Sequence, residues 1–395
     1  MSPPPPDADA DGWPDPTDCE DADPLVHPGA SEICGNNVDD NCDYLPGDCG
    51  LFGDLTIDGD PVWEGPDGGH LGTVLSGGDV PMAVAPGVGV LRLNERLWIT
   101  GGSAEFGAAV ASSGVSLLIG DPGEDAATLW LDAPVVLTGP SGSRAGASVA
   151  FMGTDVAIGA PAAHNGDGAV YLLHAPTIAA SMEDAVAVLV GDAPGGSAGI
   201  ALLNPGDANG DGVDDLVVGS LPTSEDMPFL ALFLGPIVGT LSLADADARA
   251  TDCCGPAISL SLVGPCELDG DGAPELLLAA PGSGSNVGYY RVNGLVKTGS
   301  WSAGRDINPT VACGDADGDG LDEVAVGGLY PGYVTVATSW WDVATLRFAE
   351  DQPIQLAFTT PDTEGYSSLL VGLPDFDGGG FDHGGVWPLA GGPGF

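Results

Sequence analysis

Residues 315–327 read DADGDGLDEVAVG, and residues 207–219 (DANGDGVDDLVVG) and 267–279 (ELDGDGAPELLLA) repeat the same pattern. Each copy has oxygen-bearing side chains at its first, third, fifth and ninth positions, glycine at its sixth, and then a short apolar run. Oxygen ligands at alternate positions around a sharp glycine turn are typical of a calcium-binding loop. The twelfth position is apolar in every copy, so the bidentate acid of an EF-hand is absent. Each loop is therefore predicted to lead into a buried strand.

The predicted ligands are four side chains and the seventh-position carbonyl of each loop. They are Asp207, Asn209, Asp211, Val213 and Asp215; Glu267, Asp269, Asp271, Ala273 and Glu275; and Asp315, Asp317, Asp319, Leu321 and Glu323. A metal-free turn of Asp and Gly residues is the alternative. Three copies with oxygen side chains at the same positions favour a metal. Because every ligand atom is oxygen, Ca2+ is the predicted cofactor.

The three loops belong to a longer repeat whose other copies lack the acidic residues. Successive repeats begin at Gly72, Gly107, Gly146, Gly199, Ala257, Pro309 and Tyr366. Seven units over residues 51–395 average about 49 residues, which suits a four-stranded blade. The high glycine and proline content, 64 and 34 residues, favours short strands joined by tight turns over long helices. The predicted fold is an all-β, seven-bladed β-propeller.

The last unit carries a degenerate acidic loop that begins with Asp375 and Asp377. Its fifth position has lost the carboxylate and its ninth is His383, so we expect a weak or empty metal site there. A propeller ring has to be closed, because open sheet edges aggregate. We expect Leu51–Ile57 to add a strand to this incomplete unit.

These repeats resemble FG-GAP repeats, the unit of the integrin α-subunit β-propeller. The resemblance is closest in the third unit, where VAIGAP at residues 156–161 is followed by GAVY at residues 168–171. It implies that a partner binds the face formed by the connections between blades, remote from the calcium loops. Trp301, Trp340 and Trp341 lie between repeats and are candidate anchors, with burial at blade junctions as the alternative.

The first 50 residues form a region of different composition, with four of the eight cysteines: Cys19, Cys34, Cys42 and Cys49. An even cysteine count is typical of a disulfide-stapled module in an oxidising compartment, and we expect these four to pair with one another. Cys253, Cys254, Cys266 and Cys313 supply up to two further bridges of open connectivity. We expect residues 1–6 to be a Pro-rich linker, 7–50 a metal-binding module, and 51–395 the propeller.

A ligand spacing like that of the loops also occurs at the start of this module. The predicted ligands are Asp7, Asp9, Asp11, the Trp13 carbonyl, Asp15 and Asp18. Residues 7–49 resemble the MopE-type metal-binding repeat of bacterial surface proteins through their Asp-Cys, Pro-Gly-Ala and Asp-Asn-Cys-Asp elements. That family is named for copper, but carboxylates suit a hard cation such as calcium better. An acidic spacer without metal is the alternative.

The charge of the chain excludes several classes of partner. Its 57 acidic and 8 basic residues give a formal charge of -49, which repels nucleic acid and anionic membrane surfaces. No apolar stretch is long enough for a transmembrane segment, and no signal peptide is visible at residues 1–6. The cysteines nevertheless favour an extracellular or cell-surface location. We expect the protein to be a monomer.

Catalytic motifs are weak in this sequence. Residues 195–199, GGSAG, match the G-x-S-x-G pattern, but that nucleophile turn needs a following helix, and the next residues lead into a calcium loop. The five histidines show no ligand spacing. We therefore expect a non-enzymatic protein that presents a propeller face to a protein or polysaccharide ligand. An exported hydrolase or lyase on a propeller scaffold and a structural or metal-buffering surface protein are the alternatives.

Overall fold

The computed structural model describes residues 9, 13, 20, 22–27, 54–57, 61–66, 69–77, 80–131, 133–221, 228–251, 261–280, 286–302, 310–327, 333–337, 343–348, 354–361, 366–375 and 385–389. Nearly all of the regular structure in these residues is β-strand. The helical elements among them are the short α1 (Ala163–Gly166) and two 3-10 turns, Met182–Asp184 and Leu243–Asp245. None of the described helices is long and apolar enough to cross a membrane.

The strands, in chain order, are β1 Asp54–Ile57, β2 Trp63–Glu64, β3 Val74–Ser76, β4 Met82–Ala85, β5 Gly89–Arg92, β6 Leu97–Ile99, β7 Val110–Ser113, β8 Ser116–Asp121, β9 Ala126–Trp130, β10 Pro134–Thr138, β11 Ser148–Met152, β12 Asp155–Ala160, β13 Ala169–Leu173, β14 Ala180–Ser181, β15 Ala187–Val190, β16 Ala201–Leu203, β17 Leu216–Ser220, β18 Phe229–Phe233, β19 Gly239–Ser242, β20 Ala248–Ala250, β21 Ser261–Cys266, β22 Glu275–Ala280, β23 Asn286–Arg291, β24 Val296–Ser302, β25 Thr310–Gly314, β26 Glu323–Gly327, β27 Tyr333–Ala337, β28 Val343–Phe348, β29 Gln355–Phe358, β30 Leu369–Leu373 and β31 Gly385–Leu389.

These strands form seven sheets, each with four antiparallel strands at its centre. Blades 1 to 7, from inner to outer strand, are β3-β4-β5-β6, β7-β8-β9-β10, β11-β12-β13-β15, β16-β17-β18-β20, β21-β22-β23-β24, β25-β26-β27-β28 and β29-β30-β31-β2. The predicted all-β, seven-bladed propeller is confirmed. Blade 7 begins with β29, so the repeat onset predicted at Tyr366 is wrong: that residue precedes the second strand, β30.

The hydrophobic core lies between adjacent blades. Second strands such as β12, β17 and β30 are buried almost throughout because both of their faces pack on neighbouring sheets. Glycine is required where strands of adjacent blades approach most closely: a Cβ on Gly159 would lie 2.1 Å from the Gly199 carbonyl oxygen. The cluster that joins Leu71 and Ala83 to Leu370 and Val386 packs blade 1 on blade 7 and closes the ring.

The closing strand differs from the expected one. β2 pairs with β31 and completes blade 7, whereas β1 pairs in parallel with β28 at the outer edge of blade 6. The expectation that Leu51–Ile57 would complete the last blade is therefore wrong. The same arrangement recurs at β14 and β19, which precede the outer strands of blades 3 and 4 and pair with the preceding blade. A segment that leads into an outer strand thus extends the neighbouring sheet.

The antiparallel order separates two faces of the propeller. Connections between first and second strands emerge on one face, which we call the acidic face because it carries the three acidic loops. Connections between blades emerge on the opposite face, which we call the inter-blade face. The inner strands of all seven blades surround a central cavity of about 780 Å³.

Candidate metal-binding loops

The blade 6 loop, between β25 and β26, gathers its carboxylates most closely. Carboxylate oxygens of Asp315, Asp317 and Glu323 lie within 4.8 Å of one another. Glu323 is only 1% exposed, and its Oε2 accepts a 2.6 Å hydrogen bond from the Ala316 N–H. Burial, together with the charges of Asp317 and Asp315, raises the pKa of Glu323 to about 8. A cation at this point would relieve that electrostatic cost.

Backbone hydrogen bonds give the blade 6 loop its shape and leave one oxygen of each central aspartate for a ligand. Asp317 Oδ1 accepts from Asp319 N–H at 3.0 Å, and Asp319 Oδ1 accepts from Leu321 N–H at 2.7 Å. Asp315 accepts from Gly318 and Gly320. The backbone therefore uses the Oδ1 atoms of both central aspartates, and their Oδ2 atoms remain for a cation.

The blade 5 loop, between β21 and β22, also gathers three carboxylates, but with the fifth residue of the loop in place of the ninth. Oxygens of Glu267, Asp269 and Asp271 lie within 4.8 Å of one another. Glu275 is 1% exposed; its Oε2 accepts from Leu268 N–H at 3.1 Å, while its buried Oε1 has no hydrogen-bond partner. Burial raises the pKa of Glu275 to about 7. A buried oxygen without a donor fits a carboxylate that ligates a cation.

The blade 5 loop also contacts an arginine that lies outside the loop sequence. Arg291, the last residue of β23, lies with its Nη2 3.1 Å from Asp269 Oδ2 and 2.5 Å from Asp271 Oδ2. Its Nε lies 3.9 Å from Glu275 Oε1. The pairing of Glu275 with Arg291 across β22 and β23 produces this contact, and no local sequence pattern indicates it.

The blade 4 loop, between β16 and β17, has the amide Asn209 at the third position, where the other two loops have an aspartate. Among the described residues its carboxylates do not form a group within 4.8 Å. Asp215 is fully buried and accepts from the N–H groups of Ala208 and Gly235 at 3.0 and 2.8 Å, and burial raises its pKa. The Asn209 amide donates to Asp211 Oδ2 at 3.0 Å, so the amide occupies an oxygen that a carboxylate at this position would leave free.

The seventh-position residues occupy equivalent places in the three loops. The N–H groups of Val213, Ala273 and Leu321 donate to the fifth-position aspartates at 2.9, 2.9 and 2.7 Å. The repeated bond fixes the same turn in each loop. Metal ligation by the carbonyl groups of these three residues stays a prediction.

Blades 5 and 6 are tied together beside their loops. A disulfide joins Cys266 to Cys313, with a Cα–Cα distance of 6.0 Å. Asp322 Oδ2 accepts from Glu267 N–H at 2.8 Å, and Asp322 N–H donates to the Glu267 carbonyl at 2.6 Å. Both sulfur atoms are oxidised, so the nearby group of Cys266, Cys313 and Asp322 is not a thiolate metal site. Asp at the eighth position does not by itself indicate this contact, because Asp214 at the same position in blade 4 accepts from the Asn204 amide of its own blade.

The candidate site in the last unit is not equivalent to the other three. Asp375 lies after β30, the second strand of blade 7, so the connection that it begins belongs to the inter-blade face. His70 Nδ1 lies 3.1 Å from Asp375 Oδ1. The expectation of a fourth loop in the same position is therefore wrong, because the strand before Asp375 is the second strand of its blade and not the first. Asp377 and His383 lie outside the described residues.

Most of the predicted N-terminal ligands also lie outside the described residues. These are Asp7, Asp11, Asp15 and Asp18. The four cysteines of the module, which we expect to pair with one another, lie outside the described residues as well. Asp9 and Trp13 are described, and the Trp13 ring stacks on His27 with centroids 6.4 Å apart.

The structure also gives the positions of one candidate tryptophan anchor and of the G-x-S-x-G pattern. Trp301 lies in β24, the outer strand of blade 5, rather than in a connection between blades, so its predicted position is wrong. Trp340 and Trp341 are outside the described residues. Ser197 of the G-x-S-x-G pattern is followed by strand β16 and not by a helix.

Comparison with known families places one metal-binding element in the chain. Residues 18–43 match the family model Cu-binding_MopE, described as "Putative metal-binding motif". No curated protein matches the sequence. The chain therefore combines a MopE-type metal-binding motif with a seven-bladed β-propeller that carries clustered acidic loops.

Proposed function

We propose that this protein is an exported calcium-binding protein whose propeller, built from FG-GAP-like repeats, presents a face to a protein or polysaccharide outside the cell. The observation that carries the metal-binding part is Glu323. This carboxylate is 1% exposed and lies beside the oxygens of Asp315 and Asp317. Three carboxylates at this spacing repel one another unless a proton or a cation intervenes.

The chemistry of the ligand set supports calcium over a transition metal. The predicted ligands of the three propeller loops are carboxylate, amide and carbonyl oxygens, which hard cations prefer. Mg2+ needs a stricter octahedral geometry and gives up its water reluctantly, so loops rich in flexible oxygen ligands favour Ca2+. The buried Glu275 Oε1, which accepts no hydrogen bond, fits the same interpretation.

Titration calorimetry of the metal-depleted full chain tests the metal. We expect CaCl2 to bind with higher affinity than MgCl2, and Glu323→Gln to remove one calcium equivalent. Calcium heats that are the same in wild type and Glu323→Gln would contradict the proposal for the propeller. The N-terminal motif is common to both proteins, so its contribution cancels in that comparison.

The separation of the acidic face from the inter-blade face supports the inter-blade face as the partner surface. The acidic loops are pinned by many hydrogen bonds to their own backbone, whereas the inter-blade face carries connections of varied length and chemistry. The Cys266–Cys313 disulfide favours an oxidising environment outside the cytosol. The charge of -49 favours a neutral or basic partner, or one that calcium bridges.

Adhesion to immobilised glycans and cell-wall fractions tests the partner surface. Ser141 is exposed in a connection between blades 2 and 3, and Val115 is 80% exposed in a turn on the acidic face. We expect Ser141→Arg to weaken adhesion and Val115→Arg to leave it unchanged. Loss of adhesion in the Val115 variant alone would move the partner to the acidic face.

A further inference from the structure

The blade 5 loop differs from the blade 6 loop by one positive charge inside its carboxylate cluster. In blade 5, Asp269 Oδ1 accepts from Asp271 N–H at 3.1 Å and Asp271 Oδ1 accepts from Ala273 N–H at 2.9 Å. The turn thus uses the Oδ1 atom of each aspartate, as in blade 6. The Oδ2 atoms remain for a cation, and these are the two atoms that Arg291 contacts.

Strand register and sequence together identify the residues that correspond to Arg291 in the other two blades, and both are uncharged. Arg291 pairs with Glu275 across β22 and β23. Since Leu216 pairs with Phe233 in blade 4, the same register there brings Asp215 opposite Leu234. In blade 6, Ala337 pairs with Val324, and the next residue in sequence is Thr338. Within the described residues, the ion pairs of the other arginines lie outside the blade 6 loop.

We propose that the Arg291 guanidinium occupies the cation position of the blade 5 loop, so that Ca2+ enters this loop only by displacing it. The inference rests on the proposed calcium binding and goes beyond it. Arginine stays protonated at every physiological pH, so this internal cation competes with calcium under all such conditions. The blade 5 loop is consequently held together without metal and takes up calcium at higher concentrations than the blade 6 loop.

The solvent exposure of Arg291, Asp269 and Asp271 determines how strongly the guanidinium competes with calcium. The Arg291 side chain is 37% exposed and those of Asp269 and Asp271 are 45% and 41% exposed. Ion pairs at such exposure are weak and screened by salt, so their loss should tighten calcium binding at this loop on the order of tenfold rather than by many decades. The planar guanidinium reaches both carboxylates at once, which a lysine ammonium does less well.

Calorimetry on a full-length background that keeps only the blade 5 loop isolates this effect. Asp207→Asn and Glu323→Gln disable the other two loops, and Glu275→Gln on the same background gives the heat that comes from elsewhere in the chain. CaCl2 is the probe. We expect Arg291→Gln, which keeps much of the aliphatic stem, to tighten binding about tenfold, and Arg291→Lys to fall between it and Arg291.

Two further variants serve as matched controls. Arg249→Gln removes an arginine of similar exposure that pairs at 2.6 Å with Asp192, a residue of the connection after β15 on the inter-blade face, and should leave calcium affinity unchanged. Leu234→Arg transfers the charge to the equivalent register of blade 4. In an otherwise unmodified chain it should weaken that site by a similar factor.

The outcomes separate this inference from the proposed function. Unchanged or weaker calcium binding in Arg291→Gln overturns the inference, because a competing cation has to be released. Equal tightening in Arg249→Gln overturns it as well, since only the net charge would then matter. If Glu323→Gln in the otherwise native chain binds calcium like wild type, the proposed function itself fails for the propeller. If that variant loses a site while Arg291→Gln has no effect, only the role of Arg291 is wrong.

Discussion

Blades 3 and 6 share one four-strand framework but turn their first hairpin in very different ways. In blade 3, β11 ends at Met152 and β12 begins at Asp155, so two residues make the turn. In blade 6, residues 315–322 separate β25 from β26 and carry the acidic cluster. The hairpin needs no acidic loop, so the carboxylates in blade 6 serve another purpose and introduce a repulsion that blade 3 avoids. A bound cation accounts for both facts.

The largest expected effect is on the whole protein when metal is removed. We expect chelation to lower the melting temperature by several degrees, because each site adds about 2.7 kcal/mol when calcium is about 100 times its Kd. Hydrogen exchange should increase in the loops of blades 4 to 6 and stay unchanged in the two-residue turns of blades 2 and 3. Scanning calorimetry with and without chelator measures the first effect. An unchanged melting temperature would rule out structural metal in the propeller.

A smaller effect is expected from Glu323→Gln, which alters one loop only. In calcium the variant should lose about 1–3 kcal/mol of unfolding free energy, because its loop no longer holds the ion. In chelator at pH 8 it should equal or exceed wild type, because glutamine avoids burying a charge. Denaturant titrations in the two buffers measure both values.

Asp155→Asn is the matched control for that variant. Asp155 begins β12 as Glu323 begins β26, but it follows a two-residue turn and lies 2.8 Å from His174. Its effect on stability should be the same in calcium and in chelator. A calcium-dependent change in the control would mean that the effect does not come from the acidic loop.

The sequence predicted the repeated part of this architecture and missed its non-local part. Seven units and three acidic loops follow from spacing and residue type, because each blade carries its own copy of those signals. The closing strand Trp63–Glu64 has no such copy, since its partner β31 lies more than 300 residues away. The contact between Arg291 and the acidic loop could not be predicted for a related reason: it depends on the pairing of Arg291 with Glu275 on the adjacent strand. The Cys266–Cys313 pairing stayed open because spacing does not determine connectivity.

The pH dependence of the metal-free protein sharpens the contrast between the two kinds of turn. The folded pKa values of Glu275 and Glu323, about 7 and about 8, lie above the ordinary value of 4.5. Between the ordinary and the raised values the folded state holds protons that the unfolded state has lost. Stability in chelator is therefore greatest at and below about pH 4.5 as far as these two groups decide it, and falls as pH rises towards 8.

Calcium should reverse that trend, since the ion binds the deprotonated carboxylates. Melting temperatures at pH 5.5, 7 and 8.5 in chelator and in calcium test both directions. The double variant Glu275→Gln and Glu323→Gln should flatten the chelator curve. A curve in chelator that rises with pH and is unaffected by the double variant would show that other groups dominate.

The smallest expected effect concerns the difference between the blade 4 and blade 6 loops. Asn209 stands at the third position, where blade 6 has Asp317, and its amide donates to Asp211 Oδ2. Asn209→Asp adds a charged ligand and removes that donor, so we expect blade 4 to bind calcium a few-fold more tightly, because affinity follows ligand charge. The same change should slightly destabilise the chelated protein, because two carboxylates then face each other without a proton donor between them.

Titration calorimetry on a Glu275→Gln and Glu323→Gln background measures the change in calcium affinity, and denaturant unfolding in chelator measures the change in stability. Tighter binding without loss of metal-free stability would mean that the amide contact contributes nothing, whereas unchanged binding would show that backbone geometry, not ligand charge, limits calcium affinity at the blade 4 loop.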